Sequence, residues 1–125
     1  MAIGTTTVVS SNTVPGKRTV RFTQQLSTGA DHVEAGSALD LSAATLGAYN
    51  GFHSQVDSCY MVGYTTDPGG DTGYLPVYVR AASGATTTGV LRVFVTGAAA
   101  DSALSSAPAN TNLSGVVVMM EATGI

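Results

Sequence analysis

Two segments in which apolar residues alternate with other residues constrain the fold of this chain most strongly. In "GYLPVYVRA" (73–81) and "GVLRVFVTG" (89–97), the alternating apolar positions are Leu75, Val77, Val79, Leu91, Val93 and Val95. A period of two residues is typical of β-strands that bury one face. The turn-rich stretch "ASGATTT" lies between the two segments, so they are predicted to pair as antiparallel strands with this Leu/Val face toward the core.

Further segments along the chain also have the character of strands. In "KRTVRFTQQL" (17–26), Val20, Phe22 and Leu26 fall on one face, whereas Arg21 and Gln25 fall on the other. The stretch "SCYMVGYT" (58–65) is rich in aromatic and β-branched residues, 5–10 resembles an edge strand, and the final run "LSGVVVMMEA" (113–122) is apolar on both faces. Such a run predicts a strand covered on both sides. Six to eight short strands predict one all-β domain over residues 1–125, a β-sandwich or jelly-roll-like barrel with an N-terminal arm at about 1–14.

Helix signals are confined to one short segment, "LDLSAATLG" (39–47). Asp40 or Ser42 is a suitable N-cap, and Gly47 is a suitable end. The segment is therefore predicted to form at most one short helix, held to the core by its leucines, which are Leu39, Leu41 and Leu46.

The composition excludes several classes of function. Charged residues make up 10% of the 125 residues, where about 25% is usual. Scarce charge predicts that other chains cover much of the surface. With a net charge of −3 and five Lys and Arg in all, the chain lacks the basic track that nucleic acid requires. No apolar run approaches the roughly 20 residues that span a bilayer, so no membrane contact is expected.

The N-terminal stretch and the single cysteine both indicate a cytoplasmic origin. "MAIGTTTVVSSN" has neither a positive start nor a long apolar core, so it is not predicted to be a signal peptide. Cys59 has no second cysteine with which to form a disulfide within the chain. We predict that Cys59 is a buried small apolar residue and not a nucleophile.

The stretch "TDPGGDTG" (66–73) contains two aspartates, Asp67 and Asp71, which raise the question of a metal site. A calcium loop needs oxygen ligands at alternate positions and a later glutamate, and Pro68 occupies one alternate position while no Glu follows. Asp before Pro-Gly is instead typical of a tight turn. We predict a turn and no metal.

Two histidines with nearby acids are the remaining candidates for chemistry. His32 and Glu34 lie in "ADHVEAG", and His53 precedes Asp57 in "GFHSQVD". A His–acid pair supports catalysis only beside a nucleophile, and the chain has no Gly-x-Ser-x-Gly elbow. His32 and Glu34 alone make a weak metal pair, so a solvated loop is the preferred interpretation. The prediction is no enzyme activity, no catalytic residue, no metal and no cofactor.

The faces of the strand pair opposite to the Leu/Val face form a candidate interaction surface. Its residues are Tyr74, Tyr78, Arg80, Arg92 and Phe94. Tyr, Phe and Arg are enriched where proteins meet proteins. The surface is either a second core layer under a loop or a subunit interface, and scarce charge elsewhere favours the interface.

Three segments resemble the small head proteins of tailed bacteriophages. They are "TTTVVSSNTVPGKRTVRF" near the start, "GSALDLSAATLG" in the middle, and "LRVFVTGAAADSALSSAPANTNLSG" in the C-terminal third. The resemblance implies a capsid decoration (cement) protein: a small β-sandwich, commonly a homotrimer, that binds the major capsid protein on the outer surface of an icosahedral head. It also implies a virion location, a host-cytoplasm stage during assembly, and no active site.

The N-terminal arm is the predicted contact with a neighbour or the shell, because an extended segment can add a strand to a sheet edge. Its residues are Thr5, Thr6, Thr7, Val8, Val9, Ser10 and Ser11. The alternative function is a carbohydrate-binding β-sandwich module of a phage fibre or cell surface. That function needs exposed aromatic rings, for which the chain offers no Trp and only Tyr49, Tyr60 and Tyr64. An esterase-like enzyme is disfavoured by the missing elbow.

Overall fold

A computed structural model describes residues 3–66, 73–80, 87–96 and 105–125. Over these ranges the chain forms strands that pair only in the antiparallel sense, together with one short helix. In chain order the elements are β1 (Thr6–Val14), β2 (Lys17–Gln25), β3 (Ser37–Asp40), α1 (Ala43–Leu46), β4 (Val56–Tyr64), β5 (Tyr74–Val79), β6 (Thr88–Val95), β7 (Ser105–Ser106) and β8 (Val117–Gly124). The predicted all-β, sandwich-like fold is confirmed.

The first sheet has the strand order β1-β2-β8-β4. β1 and β2 form a hairpin in which Val14 pairs with Lys17 across a two-residue turn. Pro15 presets its own φ, and Gly16 takes a φ of +79°, so the turn sequence matches the turn geometry. The last strand of the chain, β8, lies between β2 and β4, so this sheet joins strands that are far apart in the sequence.

The second sheet is centred on β6. β5 pairs along one side of β6, while β3 and β7 pair with opposite ends of its other side. Leu91 and Val93 of β6 are each only 2% exposed, as the alternation predicted. β6 therefore anchors the second sheet to the core.

One buried apolar cluster draws residues from both sheets and from the loops at their ends. Its largest fully buried apolar side chains are Phe22, Phe52, Leu39, Leu41, Leu113 and Met120. Burial of each such side chain stabilises the fold by roughly 1.5–3 kcal/mol. Leu41, Phe52 and Leu113 of this set lie in loops and belong to the same buried cluster as the residues of the two sheets.

The short helix forms where the sequence predicted it. The side chain of Ser42, the N-cap, accepts a hydrogen bond from the backbone N–H of Ala44, and Gly47 ends the helix with a φ of +93°. Leu46 is buried and fixes α1 to the core. Asp40, the other predicted cap, supports Ser42 by accepting hydrogen bonds from both its N–H and its hydroxyl.

The predicted orientation of β5 is wrong. Leu75, Val77 and Val79 are 40%, 37% and 44% exposed, whereas Tyr74 and Tyr78 pack against the core cluster. Residues paired across two strands share a face, and Tyr78 pairs with Leu91. Both faces of β5 are apolar, so a period of two residues could not decide which face turns inward.

Glycine at position 89 provides the space that this inward face requires. A Cβ on Gly89 would lie 2.4 Å from Cζ of Tyr78, so a larger residue would collide with the tyrosine ring. The Tyr78 ring thus occupies the space of a missing side chain on the neighbouring strand.

Coverage of β8 on both faces, as predicted, is only partly observed. Val118 and Met120 are fully buried, but Val117 and Met119 on the opposite face are half-buried. The flanking strands β2 and β4 shield that second face from the sides, and no strand of the described chain lies over it.

Candidate functional site

The outward face of the second sheet is a contiguous apolar surface, here called the outer apolar face. It is defined by Leu75, Val77, Val79, Val90, Arg92 and Phe94. The register of β5 on β6 brings these residues together, because Leu75 pairs with Phe94, Val77 with Arg92 and Val79 with Val90. Its four aliphatic members are between 37% and 44% exposed. Contiguous exposed apolar surface is typical of sites where a folded protein contacts a partner.

Arg92 lies in the middle of this face with its charge unpaired. Its guanidinium carbon is 5.0 Å from the centre of the Phe94 ring, within the range of a cation–π contact. Its Nη2 donates to Ser106 Oγ at 2.8 Å, but the buried Nε has no hydrogen-bond partner. Among the described residues no carboxylate lies within ion-pair distance of Arg92.

The structure divides the five residues that were predicted to form an interface. Arg92 and Phe94 lie on the outer apolar face, whereas Tyr74 and Tyr78 turn inward. Arg80 follows β5 and is exposed. An interface at Tyr74, Tyr78, Arg80, Arg92 and Phe94 stays a prediction, and the half-buried rings of Tyr74 and Tyr78 pack against the core cluster.

Sequence reasoning missed the aliphatic part of this face, namely Leu75, Val77, Val79 and Val90. These residues have the pattern of a core face, and in isolation nothing distinguishes them from one. The available signal was Gly89, since a glycine within a strand often marks a place where a neighbour approaches closely. The space at Gly89 indicates that the Tyr78 ring of β5 lies on the inner side of the sheet.

The predicted N-terminal arm forms the outer edge of the first sheet. Thr5 precedes β1, and residues 6–11 belong to it, paired with β2 on one side only. Val9 is the bulged residue between two register segments and is 55% exposed. Ile3, just before the strand, is buried in the core. The segment is thus anchored at its start, and along its other side no strand of the described residues pairs with it.

The outward face of the first sheet carries a network of three polar side chains. Arg21 Nε lies 3.0 Å from Glu121 Oε1, and the Tyr60 hydroxyl donates to the other carboxylate oxygen. The hydrogen bond from Tyr60, and then that from Arg21, hold the pKa of Glu121 below its usual range. Beside this network is a cavity of about 320 Å³, lined by Ser10, Ser11, Asn12, Thr19, Arg21 and Glu121.

His32 is packed and not solvated, contrary to the prediction, whereas Val33, Glu34 and Ala35 of the same loop are exposed as predicted. His32 is 3% exposed, and its Nε2 has no hydrogen-bond partner. Burial lowers the pKa of His32, so the ring is neutral in the folded protein. Its backbone carbonyl accepts from Asn110 N–H at 2.8 Å, which joins this loop to the segment before β8. Glu34, the other member of the predicted pair, is exposed.

The remaining candidates for chemistry do not converge on a site. Burial raises the pKa of Cys59 to about 12, so the sulfur stays a thiol, and the prediction of a buried cysteine is confirmed. Asp57 accepts a hydrogen bond from Gln55, and the neighbouring His53 side chain is exposed. The described ranges contain no group of three His, Cys, Asp or Glu residues that could hold a metal ion. Asp67 and Asp71 lie outside the described residues.

Comparisons with known proteins gave no relatives. No protein-family model, no curated protein and no solved structure matches this chain. Within the part of the chain that the structure describes, no helix has the length and apolar character needed to cross a membrane.

Proposed function

We propose that this chain is a structural virion protein: a capsid decoration protein that binds the outer surface of an icosahedral phage head and stabilises it by bridging capsomers. The observation that carries the proposal is the outer apolar face, where Leu75, Val77, Val79 and Val90 expose more than a third of their surface on one side of a sheet. The head and the capsid come from the resemblance of the sequence to small phage head proteins.

A flat apolar face suits assembly better than catalysis. Catalysis needs a concave site with convergent polar groups, whereas assembly needs flat surfaces that bury area against several neighbours. Weak contacts repeated over a closed shell gain strength through multivalency. We therefore propose two partners, further copies of the same chain (as a homotrimer) and the major capsid protein, and neither an enzymatic activity nor a cofactor.

The edge formed by β1 is the proposed contact with the shell. Residues 6–11 pair with β2 on one side only, so the backbone groups on their other side are free to pair with an added strand. Val9 projects from the bulge and is exposed, so it can fill a pocket on the partner. The proposal thus assigns different surfaces to the two partners: the outer apolar face and the β1 edge.

Binding to purified heads tests this function. Heads assembled without the chain are mixed with purified chain and sedimented, and the bound copies are counted. Val77→Asp places a charge on the outer apolar face and is expected to weaken head binding by roughly tenfold or more, because it disrupts the contacts between copies on which multivalent attachment to the shell depends. Val62→Asp is the matched control, since Val62 is 47% exposed on β4 of the other sheet. Equal binding by both variants would contradict the proposal.

A second candidate function, carbohydrate binding, is supported by the polar cavity on the first sheet. Arg21 and Glu121 present charged hydrogen-bonding groups there, and the ring of Tyr60 beside them is 50% exposed. Hydroxyl-rich ligands are held by such groups together with a stacking ring. A glycan array tests this candidate: a saccharide hit that Glu121→Gln abolishes would support it, and the absence of any hit would exclude it.

A further inference from the structure

We propose that the outer apolar face is the contact between copies of this chain, and that Arg92 of one copy forms an ion pair there with Glu34 of another. The inference rests on the proposed function, because it takes this face as an assembly surface. It adds the identity of the partner and the pair of charges that recognises it.

Arg92 requires a negative partner if this face is covered. Its guanidinium lies over the Phe94 ring, and the described residues supply it with one hydroxyl acceptor, Ser106, and no carboxylate. Covering an apolar face that holds an unpaired cation is costly, since the charge loses water and gains nothing. An arginine near the centre of an interface becomes a strong contact when the partner brings a carboxylate.

One carboxylate of the described chain is free to be that partner. The Asp31 carboxylate accepts from Thr28 and Gly29, that of Asp40 from Ser42, and that of Asp57 from Gln55, while the carboxylate of Glu121 is held by Arg21 and Tyr60. Glu34 is exposed, and within the described ranges it makes neither a hydrogen bond nor an ion pair.

Glu34 also stands in a turn that borders the outer apolar face. It belongs to the turn in which Gly36 N–H donates to the carbonyl of Val33 at 3.0 Å. A Cβ on Gly36 would lie 2.4 Å from Val90 Cγ1 and 2.9 Å from Arg92 Cγ, so this turn borders the face beside Arg92. Glu34 stands two residues before that contact.

Because it carries both charges, one copy of the chain is complementary to another copy. In a homotrimer each chain presents one part of its surface to one neighbour and a complementary part to the other, so each chain must carry both members of the pair. Here an unpaired cation and an unpaired anion border the same apolar strip, and they do not pair with each other within one chain. Neighbouring copies of the chain satisfy both charges and bury the exposed valines, so a further copy is the occupant that this surface fits.

Charge reversal tests the pair in the isolated full-length chain. Light scattering after size exclusion is run over a range of concentrations on the unmodified chain, on Glu34→Arg, on Arg92→Glu and on the double variant. We expect the unmodified chain to associate beyond its 12.6 kDa monomer. Each single reversal should weaken association by roughly 30-fold or more, because like charges then meet across the contact, and the double reversal should restore it.

Lys17→Glu is the matched control, since it makes the same change of charge at an exposed site on the first sheet. It should associate like the unmodified chain. Circular dichroism confirms folding of each variant, and Glu34→Arg alters only an exposed turn, so it tests the pair even if Arg92→Glu unfolds. A monomeric unmodified chain, unaltered association of folded Glu34→Arg, or a folded double variant that stays dissociated would each overturn the proposal. Association of this kind without binding to heads would instead overturn only the capsid function.

Discussion

Replacing Tyr78 with phenylalanine tests the orientation of β5, on which the outer apolar face depends. The Tyr78 hydroxyl is buried and has no hydrogen-bond partner, and burial raises the pKa of Tyr78 to about 12. Burying an unpaired hydroxyl costs roughly 1–3 kcal/mol in proteins. Phenylalanine fills the same space without that oxygen, so little packing is lost. We expect Tyr78→Phe to raise the free energy of unfolding by about 1 kcal/mol.

Urea denaturation followed by circular dichroism measures this difference. An unchanged slope with a higher midpoint would show that the stability alone has changed. In thermal unfolding, about 1 kcal/mol corresponds to a rise of roughly 4 °C in Tm for a chain of this size. Spectrophotometric titration of both proteins should also show that Tyr78→Phe removes one of the tyrosines that ionise only at high pH.

Tyr60→Phe is the matched control for this substitution. The Tyr60 hydroxyl donates to Glu121 on the exposed face of the first sheet, so its removal is not expected to stabilise the protein. If Tyr78→Phe lowered the free energy of unfolding by more than about 1 kcal/mol, the reasoning would be refuted, because the hydroxyl would then make a stabilising hydrogen bond of that size. No change in either variant would indicate that the Tyr78 ring faces solvent.

Two further predictions concern the packing of the fold and its response to acid. Gly51→Ala should destabilise the fold by roughly 1–3 kcal/mol, because its Cβ would lie 2.2 Å from the backbone nitrogen of Ala43, whereas Gly115→Ala meets no atom within 4 Å and should be nearly neutral in the same urea assay. His32 is neutral in the folded protein because burial lowers its pKa, and the unfolded chain binds a proton below about pH 6.5. Its contribution to stability is therefore complete above pH 6.5 and is lost, by at most about 1.4 kcal/mol per pH unit, as the pH falls toward the lowered pKa. Urea curves between pH 5 and 7.5 should show this slope in the unmodified chain and a smaller one in His32→Gln, and equal slopes would contradict it.

The strands and the helix were predictable because each rests on local chemistry. Strict alternation in β2 placed Val20 and Phe22 inward, and both are fully buried. The Ser42 cap and the Gly47 end defined the helix to within one turn. Such signals depend on neighbours in the sequence, so one chain suffices to read them.

The orientation of β5 and the burial of His32 were not predictable from local patterns. Turning β5 over exchanges one apolar face for another, and only the partner strand, where Gly89 leaves space for the Tyr78 ring, selects between them. His32 is covered by a segment more than 70 residues later in the sequence, which reaches it through Asn110. Contacts between distant segments decide both features, and the alternation within a single strand gives no information about those contacts.

The same limit applies to the candidate site. Arg92 and Phe94 were predicted to face outward, and they do, since alternation along β6 fixed both. Their aliphatic neighbours on β5 came from the face assigned to the core. The unpaired state of Arg92 and Glu34 also became visible only once the partners of the other described carboxylates were known.

The copy number of this chain in purified phage particles tests the central claim most directly. Quantitative mass spectrometry of intact virions, with the major capsid protein as the internal standard, measures that number. The proposed function predicts hundreds of copies on the shell, in a fixed ratio to the capsid protein, as repeated binding to capsomers requires. A handful of copies at the tail, or none in the particle, would contradict it.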